Sequence, residues 1–220
     1  KFGHKDADLK LQDVDASGPR VSFSVVFGEQ TEQLSLNMAG AHNAENAVAA
    51  ITVLVGLGHE FQKACRAVAA YQGAERRFQL HGEHRGVQVF DDFAHHPTEV
   101  AAALRGARAS NPKGRLITVF QPHLYSRTRI FQKEFAEVLA LSDQVIVTDV
   151  YAAREDPEPG VTGELIVSHF ADSKQVHYVP EWDSVPAVAA KLADSGDFII
   201  TMGCGDIYKM CPDLLSSLES

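Results

Sequence analysis

The spacing of apolar positions changes period partway along the chain. Up to about residue 38 the period is two. Leu9 and Leu11 alternate with polar neighbours, and Val21, Phe23, Val25 and Phe27 alternate with Arg20, Ser22, Ser24 and Val26. That is the pattern of half-buried strands. Ala16-Ser17-Gly18-Pro19 and Gly28-Glu29-Gln30 are turn signals between them, and Leu34 and Leu36 belong to a third strand. The spacing predicts an antiparallel meander, too small to hold a good core alone. The period then becomes helical. Val48, Ile51 and Val55 predict a helix that Gly56 and Gly58 end. A second helix is predicted from Glu60 to about Tyr71, burying Phe61, Ala64, Cys65 and Val68, with Gly73 as its stop.

From Phe78 onward strand and helix patterns alternate. Strands are predicted at Phe78–Gly82, Val87–Phe90, Arg115–Phe120, Gln144–Thr148, Gln175–Val179 and Asp197–Met202. Helices are predicted at Pro97–Ser110, Thr128–Leu141, Thr162–Phe170, Asp183–Ala193 and Ile207–Leu218. Such alternation implies an α/β fold, a mostly parallel sheet with helices on both faces. The boundary between the two patterns falls near Arg77, dividing the chain into residues 1–77 and 78–220.

Composition narrows the function classes. A hydrophobic share of 45% and a charged share of 22% are ordinary for a globular protein. A formal net charge of −9 argues against a general nucleic-acid binder, which needs a basic face. It leaves room for a small anionic ligand held by local arginines. Cys65, Cys204 and Cys211 form an odd, unpaired set that fits a reducing, cytoplasmic compartment better than a disulfide framework. No apolar run is long enough to cross a bilayer, and no signal peptide opens the chain. The chain starts Lys1-Phe2-Gly3, without methionine, as a piece of a longer protein does.

In open α/β sheets ligands gather at the carboxyl ends of strands, and four such ends carry polar clusters. Asp91-Asp92-Phe93-Ala94-His95-His96-Pro97 runs from a strand into the first turn of a helix. Free N–H groups there favour an anion, and the aspartates suit ribose hydroxyls or an ammonium group. As neighbours, His95 and His96 cannot both face one way, so one faces a ligand while the other packs. The other reading of this stretch is a capping turn with solvated charges. Gln121-Pro122-His123-Leu124-Tyr125-Ser126-Arg127 follows the next strand, and an arginine there suits two-pronged binding of a carboxylate or phosphate. The other reading is a loop with exposed cations. Residues 149–160 read as a surface loop, or as a mobile rim to the site. Met202-Gly203-Cys204-Gly205-Asp206 lacks the third glycine of a dinucleotide fingerprint and reads first as a plain strand-to-helix turn; the other reading is that its two glycines let backbone approach a ligand or a neighbouring strand. His81 and His84 read as surface histidines and Cys65 as core. No Gly-Lys dipeptide occurs, which excludes a P-loop in this chain, and there is no Gly-x-Ser-x-Gly elbow.

Five motifs in order resemble those of the Mur ligases. They are Gly-Ala-His42-Asn43-Ala-Glu-Asn46-Ala, Arg76-Arg77-Phe78, Asp91-Asp92-Phe-Ala-His95-His96-Pro97-Thr98-Glu99, Phe120-Gln121-Pro122-His123-Leu-Tyr125-Ser-Arg127-Thr128 and Tyr151-Ala-Ala-Arg-Glu155. The likeness is greatest to the branch that adds L-alanine to UDP-N-acetylmuramate, with the ligase that re-attaches murein tripeptide as a near alternative. A non-catalytic binding module is the alternative of a different class. The resemblance implies that residues 1–77 match the later part of a central ATPase domain and residues 78–220 a Rossmann-like third domain. It implies ATP-driven amide formation through an acyl phosphate, with UDP-N-acetylmuramate, L-alanine and ATP as partners. Mg²⁺ is implied as a cofactor, held upstream of this chain, as is the P-loop. It further implies nucleotide contacts at Asn43, Asn46, Arg76, Arg77 and Asp91 or Asp92. An amino-acid pocket is implied at His95, His96, His123, Tyr125 and Arg127. Some relatives carry arginine where this chain has Leu124, so Arg127 is the expected grip on the amino-acid carboxylate.

Overall fold

The computed structural model describes residues 2–3, 7–18, 20–38, 40–71 and 74–219. The chain divides into two compact units, residues 1–74 with 106–110, and residues 75–105 with 111–220.

The first unit contains the meander. Strands β2 (Leu9–Asp15), β3 (Val21–Phe27) and β4 (Gln30–Leu36) pair antiparallel, and the short β1 (Phe2–Gly3) adds to β2 in parallel. The inward positions Leu9, Leu11, Val21, Phe23, Val25, Leu34 and Leu36 are buried. They pack with Ala44, Ala47, Val48 and Ile51 of α1 (Ala41–Gly56) and Phe61, Ala64 and Cys65 of α2 (Phe61–Ala69). The i, i+3, i+4, i+7 spacing on α1 gives the single apolar stripe that one sheet face needs. Gly58, at φ 91°, donates to Val55 O while His59 donates to Leu54 O, so glycine closes the helix in a left-handed cap. The predicted stop at Gly73 lies outside the described residues.

The second unit is a six-stranded sheet in the order β5-β6-β10-β7-β8-β9. Its strands are β5 (Gln79–His84), β6 (Val87–Asp92), β7 (Leu116–Phe120), β8 (Gln144–Val147), β9 (Val176–Tyr178) and β10 (Phe198–Met202). β5 and β6 form an antiparallel hairpin, and every other pairing is parallel. The connecting helices are α3 (Pro97–Ser110), α4 (Tyr125–Leu139), α5 (Glu164–Val167), α6 (Val185–Leu192) and α7 (Cys211–Glu219). One sheet face, with Val87, Val89, Ile117, Val119, Ile146 and Ile199, packs against α6 and α7. On the opposite face Phe120 meets Phe135 of α4 at 5.0 Å.

Several boundaries differ from those the pattern predicts. β6 continues through Asp91 and Asp92, which are buried strand residues and not the start of a turn. α4 begins at Tyr125, three residues before Thr128, so Arg127 lies on its first turn. The predicted 162–170 helix shrinks to the four residues of α5. The last two predicted helices each open with a 3₁₀ turn, Trp182–Ser184 and Ile207–Met210.

The last strand lies between the first two parallel strands, in register with both: Ile199 faces Val89 and Ile117. The chain leaves β7 into α4 on one face and β10 into α7 on the other. A crevice opens at the carboxyl ends where such connections diverge.

Ile199 is fully buried at the centre of this sheet. Ile199→Ala is expected to lower the unfolding free energy by about 2–5 kcal/mol. Urea denaturation followed by the fluorescence of Trp182, the chain's one tryptophan, which packs against the same core, checks this. A loss under about 1 kcal/mol is inconsistent with a close-packed centre.

Candidate functional site

Four strand ends converge on the crevice. The entry segment contributes Arg76, at φ 60°. Its Nε donates to Asp91 Oδ2 at 2.8 Å, Nη1 to Gly205 O at 3.0 Å and Nη2 to Gly203 O at 2.7 Å. Its guanidinium lies 5.0 Å from the Phe93 ring centroid and 4.4 Å from that of Tyr208. Asp91 is fully buried, and its other oxygen accepts from Thr201 Oγ1 at 2.7 Å. Parallel register explains that bond, because Asp91 and Thr201 are partners on adjacent strands. Arg76 and Asp91 therefore bind each other in the space where nucleotide contacts were expected. Arg77 is exposed, 5.5 Å from the Phe93 centroid.

Asp92 is buried on the opposite face. Its two oxygens accept from the backbone N–H groups of Phe78, at 2.9 Å, and Ala94, at 2.8 Å. Burial pushes its pKa up to about 6 against those bonds and the nearby Arg77, with Asp91 adding to the rise. Both aspartates thus serve the chain's own backbone and side chains rather than being solvated caps. Of the two neighbouring histidines, His95 faces the crevice. Its Nδ1 is 2.9 Å from Phe93 O, and its ring meets His123 edge-on at 6.2 Å. His96 turns to pack on Phe131 of α4 at 5.0 Å.

After β7, Gln121 is buried and donates to Asp206 Oδ1 at 3.2 Å. His123 bridges to Tyr151 through the backbone, and their rings stack at 5.8 Å and 15°. Arg127 Nη1 lies 3.3 Å from His123 Nδ1. The Cys204 thiol lies near Arg127, and burial raises its pKa. Tyr125 opens α4 beside them, half-buried. The first turn of α4 has no cap of its own. Glu155 supplies one from the loop after β8, accepting from both the N–H and the hydroxyl of Ser126. Those two bonds hold the Glu155 carboxyl below its ordinary value. Arg129 and Glu158 tie the same loop to α4 at 2.9 Å. Residues 149–160 are therefore pinned to the helix that carries Arg127.

Sequence reasoning missed Glu155 as a cap and the contacts of Gln121 and Cys204, and it ranked the close backbone approach at Gly205 below a plain turn. A Cβ at Gly205 would stand 2.4 Å from Gln121 Oε1 and 2.8 Å from Tyr151 Cγ. Only glycine lets that turn approach the next strand end so closely. Two glycines flanking a cysteine after a strand were the available signal. Asn43 and Asn46 belong to the first unit, on the first two turns of α1, with Asn43 half-buried and Asn46 exposed. Among the described residues no three His, Cys, Asp or Glu side chains converge to hold a metal. No helix among them is long and apolar enough to cross a membrane.

Two outcomes follow for the buried carboxylates. Arg76→Met strands Asp91 and is expected to cost about 3–5 kcal/mol, with the further change Asp91→Leu recovering part of it. Strictly additive losses in urea denaturation would show that the two groups do not act as a pair. Asp92 has a folded pKa above its ordinary value of 3.8. Its favourable contribution is complete below 3.8 and is lost as pH rises through about 6. Carbon-13 titration of its carboxyl should give a midpoint near 6; a midpoint near the ordinary carboxylate range contradicts the burial argument.

Residues 76–205 match the family model described as Mur ligase, glutamate ligase domain. The chain is 48% identical over 214 residues to a UDP-N-acetylmuramate–L-alanine ligase of Clavibacter sepedonicus, covering 97% of this chain and 45% of that protein. It is 41% identical over 228 residues to the protein of that name from Thermobifida fusca, covering 99% and 48%. The crystal structure of the UDP-N-acetylmuramate–alanine ligase of Thermotoga maritima superposes with a TM-score of 0.79 at 25% identity, covering 99% of this chain and 47% of that one. The chain thus spans about half the length of the curated relatives it matches. With its ordered motifs, its parallel sheet and a family match across most of the second unit, the chain belongs to the Mur ligase family.

Proposed function

We propose that this chain is the C-terminal part of a cytoplasmic, ATP-dependent ligase that joins L-alanine to UDP-N-acetylmuramate in peptidoglycan synthesis. The observation that carries the proposal is the cluster of Arg127, His123 and His95 at the switch-point crevice, in a chain whose curated relatives bear that activity's name. In this reading the sugar's lactyl carboxylate attacks the γ-phosphorus of ATP, the bridging P–O bond breaks, ADP leaves and the carboxylate becomes an acyl phosphate. The α-amine of L-alanine then attacks the carbonyl carbon, and phosphate leaves. Activation is needed because a carboxylate is a poor electrophile, and enclosure keeps the acyl phosphate from water.

Arg127 would hold the alanine carboxylate with a charge-assisted, two-pronged hydrogen bond. His95 lines the same side, while His96 would act through packing on α4. Tyr125 and Tyr151 would bound the pocket. Arg77, exposed and near the Phe93 ring, would meet nucleotide phosphate. Arg76, Asp91 and Asp92 would shape that region through the bonds they already make. For Asn43 and Asn46 the adenine-side role rests on the family resemblance alone. When bound, Mg²⁺ would offset charge on the transferring phosphoryl group, and the family resemblance puts its ligands mainly upstream of this chain.

A second reading has an observation of its own. The structure of a murein peptide ligase from Psychrobacter arcticus superposes with a TM-score of 0.71 at 26% identity, covering 99% of this chain. Phosphate release by the full-length ligase, fed L-alanine or murein tripeptide, separates the two acceptors.

Arg127→Ala in the full-length ligase is expected to lower kcat/KM for L-alanine by roughly 10- to 150-fold, the loss of a hydrogen bond to a charged group. KM for ATP should stay near the wild-type value. Unchanged KM for L-alanine together with unchanged turnover would remove Arg127 from the pocket.

A further inference from the structure

Arg127 has a long, flexible side chain at the edge of a crevice, yet one neighbour gives it a direction. Its Nη1 lies 3.3 Å from His123 Nδ1, one helical turn away in sequence. An arginine can only donate, so Nδ1 must accept. A neutral imidazole that accepts at Nδ1 carries its proton on Nε2. The imidazole is itself held on every side. Tyr151 N donates to Pro122 O at 2.8 Å and Leu124 N donates to Tyr151 O at 3.0 Å, so backbone bonds bracket His123. Tyr151 covers one ring face, and His95 meets the ring edge-on.

We propose that His123 is a positioning residue: its neutral Nδ1 aims the Arg127 guanidinium into the crevice, and a proton on that nitrogen releases it. The proposal rests on the reading of Arg127 as the grip on the amino-acid carboxylate. It departs from a direct substrate contact by His123.

The surrounding charges support the neutral form. Burial lowers the His123 pKa from its ordinary 6.5, and Arg127, His95 and Arg154 lower it further, while Glu155 acts the other way. Burial raises the Cys204 thiol pKa and so favours its uncharged form beside them. Protonation would remove the acceptor and set two cations in contact. The folded pKa is depressed, so the neutral, aiming state is complete above 6.5 and is lost as pH falls through the folded pKa.

Two measurements test this. Nitrogen-15 NMR of the His123 ring in the 220-residue chain should show unprotonated Nδ1, a proton on Nε2 and a titration midpoint below 6.5. The opposite tautomer, or a midpoint at or above 6.5, overturns the proposal. In the full-length ligase, His123→Asn puts an amide oxygen near the Nδ1 position, and His123→Gln puts one near Nε2. His123→Gln and His123→Ala should raise KM for L-alanine on the order of tenfold with much smaller changes in kcat, the size of one lost aiming bond. His123→Asn should keep KM within about threefold of wild type and flatten its rise at acid pH. Rescue by glutamine and not asparagine would show that Nε2 works, in direct contact with substrate, and would overturn the proposal. A wild-type ligase that turns over with neither L-alanine nor tripeptide would refute the functional reading instead, while the ring-nitrogen measurement would still decide the geometry.

Discussion

One guanidinium joins the parts of the second unit that matter most. Arg76 spends its donors on Asp91, Gly203 O and Gly205 O and lays its faces near Phe93 and Tyr208. It thereby ties the entry segment to the tip of β6 and to the turn after β10. A buried ion pair adds little net stability over well-packed apolar groups, because desolvation offsets most of the Coulomb gain. What it supplies is position. Two charges that cannot be left unpaired allow one arrangement of these three segments and penalise the others.

That arrangement matters because of where β10 lies. The strand comes last in the chain but sits between β6 and β7. Its turn must therefore thread between two strand ends already crowded with side chains, which is why Gly205 abuts Gln121 and Tyr151 without room for a Cβ. The helices that follow β7 and β10 leave on opposite faces, and the space between them is the crevice. Arg127 reaches it because α4 starts at Tyr125. That early start depends on Glu155, which satisfies the Ser126 N–H that the helix itself leaves open.

Electrostatics then sorts the titratable groups. Desolvation raises Asp92 despite its two backbone partners, whereas Glu155, half-buried and well bonded to Ser126, is lowered. His123 is lowered by burial and by Arg127. Similar residue types thus differ in charge behaviour within one crevice, and the difference follows from depth and neighbours rather than residue identity.

The sequence by itself determined the class of most elements, the α/β alternation after Phe78, the helix stop at Gly58 and the motif order that identifies the family. These are local or periodic signals: side-chain period, turn residues and short runs of chemistry. Only the tertiary structure decided that Asp91 is a buried partner of Arg76, that His95 faces the crevice while His96 packs on Phe131, and that a distant glutamate caps α4. The reason is separation along the chain. Arg76 is 15 residues from Asp91 and 129 from Gly205, and Glu155 is 29 from Ser126. Contacts over such distances are set by which strands lie side by side, and no local period encodes that order.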